Sequence, residues 1–299
     1  MTTTTAIASP PRGLELARAV LSLFKLRIGM LIMVTALVGL AVTPGASLSA
    51  LQVLVLALSV LVASASAGAF NQYAEHEADR LMKRTAGRAF ATGALPHRPA
   101  WLLLMAVMLA GAVAAAWVML NAAAAAYVFL GAFFYGVVYT LWLKRRSAWN
   151  IVIGGLAGSF AVLAGAAAVD PTPGALGWLL ALVLFLWTPP HFWSLAIANR
   201  GDYLMAGVPM LPVVVGDRRA AWIVFASTVA LVAASLAPLA YGAGWMHALG
   251  ALTGGGWFLH KSWQLARHPT RRTAIGSFLA SLVQLSALLA GATLDALLR

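Results

Sequence analysis

The feature that most restricts the fold of this chain is a succession of about nine apolar runs. They lie near residues 21–43, 49–74, 99–120, 122–143, 150–169, 174–197, 219–240, 243–264 and 273–297. A helix that crosses a membrane needs roughly 20 consecutive apolar residues. The chain is therefore expected to be all-α, a polytopic membrane bundle of about nine transmembrane helices. Charged residues make up 9% of the chain, against roughly 25% in soluble domains. Cysteine is absent, which excludes disulfides, thiolate metal sites and a cysteine nucleophile. The break between the third and fourth runs is faint, marked only by Asn121 in an alanine-rich stretch. The opening MTTTTAIASPPRG lacks the pattern of a cleaved signal. The expected organisation is a short tail over 1–20 and a single membrane domain over 21–299.

The net charge of +12 could suggest nucleic acid, but its distribution excludes that reading. Basic residues gather before the first run and at its start (Arg12, Arg18, Lys25, Arg27) and between the second and third (Arg80, Lys83, Arg84, Arg88, Arg98). They recur at Lys144, Arg145 and Arg146, at Arg200, Arg218 and Arg219, and at Lys261, Arg267, Arg271 and Arg272. That puts 19 of the 20 basic residues on alternate connections, with Arg299 alone on the other side. Lysine and arginine bias sets orientation. A bacterial inner-membrane protein with a cytoplasmic N-terminus and an external C-terminus is expected.

The chain has eight acidic residues, and Glu75, Glu77 and Asp79 stand together in NQYAEHEADRLMKRTAGR, residues 71–88. On a helix, residues four apart share a face. Asn71, Glu75 and Asp79 thus form one polar stripe, with Glu77 turned aside. Carboxylates and a carboxamide are hard oxygen ligands suited to Mg²⁺, which keeps other positions for water and phosphate. Arginine forks match phosphate geometry, so Arg80, Lys83, Arg84 and Arg88 complete the outline of a diphosphate site. Carboxylates inside a membrane are costly and usually functional.

This pattern, N-x3-E-x3-D-x2-M-x-R-T-x2-R, resembles the first motif of the UbiA-type intramembrane prenyltransferases, and most closely their heme O synthase branch. YTLWLKRRSAWNIVIGGLAG (139–158) and WTPPHFWSLAIANRGDYLMAGVPMLPVV (187–214) agree with that branch. The resemblance implies a bundle with an active-site cavity open to the cytoplasm. It implies farnesyl transfer from farnesyl diphosphate to a vinyl group of heme B with addition of water, giving heme O, in the lipid bilayer, with Mg²⁺ as cofactor. Heme A synthase or oxidase assembly factors would be protein partners. Carried over by position, Asn71, Glu75, Asp79 and Asp202 would hold the metal and serve catalysis. Arg80, Lys83, Arg84, Arg88, Lys144, Arg145, Asn150, His191 and Tyr203 would bind substrates. Trp187, Phe192 and Trp193 offer aromatic faces to an allylic cation, and the Pro189-Pro190 pair before His191 is expected to break or kink its helix. His76, His97, His247, His260 and His268 are expected to be solvated, and Asp170 and Asp295 to be structural.

The chain also departs from the family pattern. Gly201 stands where a second acid often precedes Asp202, Leu204 and Met205 where a base is common, and Ala89 where proline follows the Arg88 position. After NIVIGGLAG a proline pair is expected, and the chain reads SFAVLAGAA. Two other readings compete: prenyl transfer to another aromatic or quinone acceptor, and transport of heme or an ion. Transporters favour midplane charges in repeated halves, whereas these acids sit at a helix end without a repeat.

Overall fold

The computed structural model describes residues 13–298. Arg12, Arg299 and the start of the expected tail lie outside the described residues. The segment expected as tail is already helical from Gly13, in a helix over Gly13–Leu23. Its Ala19, Val20 and Leu23 pack beside Phe90, Ala89, Leu95 and Met105.

Nine long helices follow: α1 (Leu26–Val42), α2 (Ala50–Ala74), α3 (Ala100–Met119), α4 (Ala122–Leu143), α5 (Asn150–Val169), α6 (Ala175–Ala198), α7 (Asp217–Tyr241), α8 (Trp245–Arg267) and α9 (Arg271–Leu297). Local chemistry sets several of their starts. Ser49 and Gln52 form a capping box at α2, and Thr270 and Thr273 another at α9. The faint break at Asn121 is real. Its side chain accepts from the Ala124 amide at 2.9 Å and donates to the Ala167 carbonyl at 2.7 Å. It thereby caps α4 and ties it to α5.

Eight spans among the described residues are long and apolar enough to cross a membrane, the first being the Gly13–Leu23 helix and α1 taken together. The protein is a multi-pass membrane protein. The expected eighth span, α8, falls short on hydropathy because it carries His247, His260, Lys261 and the glycines 250, 254, 255 and 256. It nevertheless lies along α9 for much of its length. Its leading residue Gly244 donates its amide to Asp295 Oδ2 at 2.7 Å, near the far end of α9. A Cβ on Gly250 would stand 2.3 Å from the Ala287 carbonyl oxygen, and one on Gly291 2.6 Å from that of Met246. Small residues let membrane helices meet backbone to backbone, which is what α8 gives up hydropathy for.

Each helix packs on its neighbours in the chain, and α9 returns to α1, so the bundle closes on itself. Contacts of α1 with α5 and of α6 with α9 cross the ring. At the first crossing a Cβ on Gly39 would stand 2.2 Å from the Val162 carbonyl oxygen, and one on Gly165 1.7 Å from that of Ala36. The core of α1–α5 is accordingly alanine-rich, with Ala36, Ala63, Ala67, Ala116, Ala164 and Ala167 buried. Leucines such as Leu31, Leu51, Leu54 and Leu103 face outward, where lipid rather than water is the solvent.

α6 runs unbroken through Pro189 and Pro190; of the expected break or kink, the break does not occur. Membrane helices tolerate proline more readily than soluble ones. On either side of the pair, Ser194 Oγ donates to the Pro190 carbonyl at 2.7 Å and Thr188 Oγ1 to that of Leu184 at 2.9 Å, adding side-chain bonds to the helix.

Candidate active site

The stripe at the end of α2 keeps its register although the helix turns at Glu75. Backbone bonds from Glu75 N to Asn71 O (3.1 Å) and from Asp79 N to Glu75 O (2.9 Å) carry it into the short helix His76–Leu81. Asn71, Glu75 and Asp79 are all buried. Asn71 Nδ2 donates to Glu75 Oε2 at 2.7 Å. The loop after Met82 folds back over the stripe. Thr85 Oγ1 donates to the Asp79 carbonyl at 3.1 Å, and Arg88 Nη1 lies 2.9 and 2.7 Å from the two Asp79 carboxylate oxygens. Glu75 is paired with the Lys144 ammonium. Burial pulls that ammonium below the ordinary lysine range, and Glu75 opposes the shift.

How Lys144 reaches Glu75 depends on α4. Its last ten residues, Phe134–Leu143, form a π-helix. Thr140 Oγ1 and the Lys144 amide reach back five residues, to the carbonyls of Tyr135 (2.8 Å) and Tyr139 (2.9 Å). Lys144 lies nine positions after Tyr135. At about 100° per residue an α-helix would set the two on opposite faces. The wider π turn, about 4.4 residues, returns them to one face. Tyr135, Thr140 and Lys144 therefore all look toward the end of α2, and Asn71 Nδ2 also donates to Thr140 Oγ1 at 3.1 Å.

A third cation completes the cluster. Lys25 sits between the first helix and α1 with φ 46 and ψ 43, a left-handed backbone. Its Nζ donates to Asn71 Oδ1 at 2.7 Å and to Tyr135 Oη at 2.9 Å. Three buried oxygen-bearing side chains thus face three cations, Lys25, Arg88 and Lys144. Asp202, in the short helix Arg200–Met205, joins from the far loop by accepting the Arg84 amide at 3.3 Å. Tyr203 is buried beside Met82, Ile151 and Trp193.

The other expected residues divide. Asn150 is fully buried and donates to the Lys144 carbonyl at 3.3 Å, while its Oδ1 has no partner among the described residues. Arg80 turns away, its Nε donating to the Ala91 carbonyl at 2.8 Å. Lys83, Arg84 and Arg145 extend exposed side chains. His191 bonds to α9 and not to the acidic stripe. Trp187 stacks on His191, Trp193 is buried and Phe192 is partly exposed, so the three aromatics do not form one wall. His247, expected to be solvated, is buried, with Nε2 2.9 Å from the Ser235 carbonyl. His97 stacks between Tyr73 and His76. Asp170 accepts from the Thr172 amide and hydroxyl, which hold its carboxyl below the usual range.

Lys25, Tyr135 and Thr140 were not among the expected site residues. Lys25 reads in sequence as one more cytoplasmic-side charge. Tyr135 and Thr140 lie inside an apolar run, and their α-helical spacing does not align them.

A family model for the UbiA prenyltransferase family matches residues 32–285. A protoheme IX farnesyltransferase 2 of Paramagnetospirillum magneticum is 54% identical over 277 residues, covering 93% of this chain and 96% of that protein. The fold is shared with a digeranylgeranylglyceryl phosphate synthase (TM-score 0.78, 17% identity, 95% of this chain and 100% of that one). It is also shared with a UbiA homolog from Archaeoglobus fulgidus bound to DMAPP and Mg²⁺ (TM-score 0.67, 16% identity, 90% of this chain and 99% of that one).

Proposed function

The chain belongs to the UbiA prenyltransferase family, and from that premise we propose that it transfers the farnesyl group of farnesyl diphosphate to a vinyl group of heme B, with addition of water, giving heme O. The observation that carries the acceptor is the identity with the Paramagnetospirillum farnesyltransferase, which runs through nearly the whole of both chains. It favours heme over another aromatic or quinone acceptor, and transfer over transport.

The buried cluster supports the donor half. Asn71, Glu75 and Asp79, with Asp202 across the loop contact, offer hard oxygens of the kind Mg²⁺ takes. Among the described residues no three acids or histidines close into a metal cage. That fits an ion that takes its remaining oxygens from diphosphate and water. Bound there, Mg²⁺ would neutralise the departing diphosphate. Arg88, Lys144 and Lys25 stand ready to trade their carboxylate and carboxamide partners for phosphate oxygens, with Arg84 and Lys83 at the rim. Charge is thus placed where it develops as the allylic C–O bond breaks. The apolar bundle keeps water from the carbocation until the vinyl carbon has reacted.

In this reading the charged end of the bundle, its cavity mouth and the N-terminus face the cytoplasm of a bacterial inner membrane. Residues 21–299 act as one domain. The product would pass within that membrane to heme A synthase or oxidase assembly factors. Purified protein incubated with farnesyl diphosphate, Mg²⁺ and either heme B or a hydroxybenzoate tests the reading. Heme O formation is expected; prenylation of the hydroxybenzoate alone would replace heme as the acceptor, and no product from either would remove the enzyme reading.

A further inference from the structure

The seam between α6 and α9 is polar on both sides. On α9, Ser277, Ser281 and Gln284 follow at spacings of four and three and so share a face. On α6, Ser194 and His191 meet them. Ser194 Oγ lies 2.9 Å from Ser277 Oγ, His191 Nδ1 2.7 Å from Ser281 Oγ, and Trp187 Nε1 donates to the Ser281 carbonyl at 2.8 Å.

Counting protons favours one direction for the His191–Ser281 bond. A serine hydroxyl has one hydrogen, and Ser281 gives it to the Phe278 carbonyl at 2.6 Å. With that hydrogen so used, the same oxygen accepts from His191, the arrangement that places the proton on Nδ1. In the neutral imidazole the lone pair is then on Nε2. The ring cannot turn to exchange the two. Trp187 covers one face at 4.1 Å and 20°, Phe278 stacks at 4.6 Å and 29°, and Phe192 meets its edge. His191 is 6% exposed, and Nε2 has no hydrogen-bond partner among the described residues. One turn along α9, Gln284 is fully buried and neither of its side-chain polar atoms has a partner among the described residues. Buried polar groups are rarely left unpaired, so Gln284, together with the His191 Nε2 that no described residue engages, is bonding capacity that the described residues leave unused.

We propose that His191 Nε2 contacts the iron of the porphyrin acceptor, and that Ser281 is the positioning residue that fixes the tautomer and ring plane for that contact. The inference rests on the heme-acceptor reading above. A metal-bound histidine normally donates its other N–H to an oxygen acceptor, and the Ser281 hydroxyl is that acceptor. The iron belongs to the substrate and takes no part in the bond changes, which occur at a vinyl group on the porphyrin edge. Holding the iron orients that vinyl carbon toward the allylic group without touching either reacting atom.

The test uses the full chain in detergent with ferric heme B, read by the Soret band and, after reduction, by resonance Raman. Wild type should show saturable binding and an iron–imidazole stretching band. His191→Gly should lose that band, and added imidazole should restore it. Ser281→Ala should weaken heme binding by about tenfold and shift the band, whereas Ser281→Thr, which keeps the hydroxyl, should retain both. Binding of farnesyl diphosphate by each variant reports its folding, and if His191→Gly fails to fold the two Ser281 variants still decide. Bound heme with an unchanged band in His191→Gly overturns the proposal. So does a wild type that makes heme O while its bound heme shows no imidazole band, which leaves the enzymatic reading standing. A wild type that neither binds nor farnesylates heme removes both.

Discussion

Lys25 donates from Nζ to Oδ1 of Asn71, a residue 46 positions away, at 2.7 Å. It does so from a left-handed backbone, with the one non-glycine positive φ among the described residues. Its stem lies along α2, where a Cβ on Gly68 would stand 3.5 Å from Lys25 Cδ. Such a conformation costs roughly 1–3 kcal/mol and persists where surrounding structure holds it. The ammonium is thus held in the site. Lys25→Met should lower farnesyl transfer by about 100-fold while the protein stays folded, and Gly68→Leu, which displaces the stem, should do the same. Turnover assays on membranes decide it; normal rates for Lys25→Met would leave the contact a packing detail.

Glu75 and Lys144 are a buried pair. Removing one partner strands the other charge, at a cost of about 3–5 kcal/mol. Lys144→Met should therefore unfold at lower temperature than wild type, and Glu75→Gln combined with Lys144→Met should recover stability without recovering turnover. Equal stability of single and double variants would show that the pair carries no such coupling. Asp79→Asn, which weakens the grip on Arg88, should also abolish transfer.

Asp202 accepts the Arg84 amide, so it couples the two polar loops. Asp202→Asn should raise the Mg²⁺ concentration needed for half-maximal rate and slow turnover. Gly201 has no positive φ and nothing within 4 Å of where its Cβ would lie. Gly201→Asp should therefore fold normally and stay active, with a lower Mg²⁺ requirement. Rate-against-Mg²⁺ curves that coincide for wild type and Asp202→Asn would end the metal role.

At the crossing of α1 and α5, a Cβ on Gly165 would stand 1.7 Å from the Ala36 carbonyl oxygen. Overpacking typically costs about 1–3 kcal/mol even in softer surroundings. Gly165→Ala should sharply reduce folded protein in membranes, whereas Gly158→Ala, with open space around it, should not. Yields measured by size-exclusion fluorescence make the comparison.

If α8 crosses the membrane as its partner α9 does, the termini lie on opposite sides. Protease access to tags at each end should then differ between intact and inverted vesicles. Both tags cut from the same side would mean that one of the nine long helices does not span.

Much of this was legible because the signals are local. Apolar runs ended within a few residues of α1–α9, including α8, whose length showed it even though its hydropathy is low. Asn71, Glu75 and Asp79 could be grouped because α-helical spacing holds through the turn at Glu75. What could not be read depends on other geometries. Lys25 enters the site through a left-handed residue that no periodicity encodes. Tyr135 and Thr140 align only in a π-helix. The burial of His247 follows from the Ser235 carbonyl on the preceding helix, 12 positions away.

The widened turn of α4 makes the spacing between residues as consequential as their identity. Delete one apolar residue between Phe134 and Leu143, for instance Val137, and the segment can relax to an ordinary α-helix. Every charged and polar group of the site would still be present. Counted from Tyr135, Lys144 would then lie eight residues on at about 100° each, roughly 80° off the face that Tyr135 presents to α2, turned away from Glu75. For this stretch a single-residue gap is a more severe change than most substitutions, and an alignment scored by residue type alone would rank the two the wrong way round.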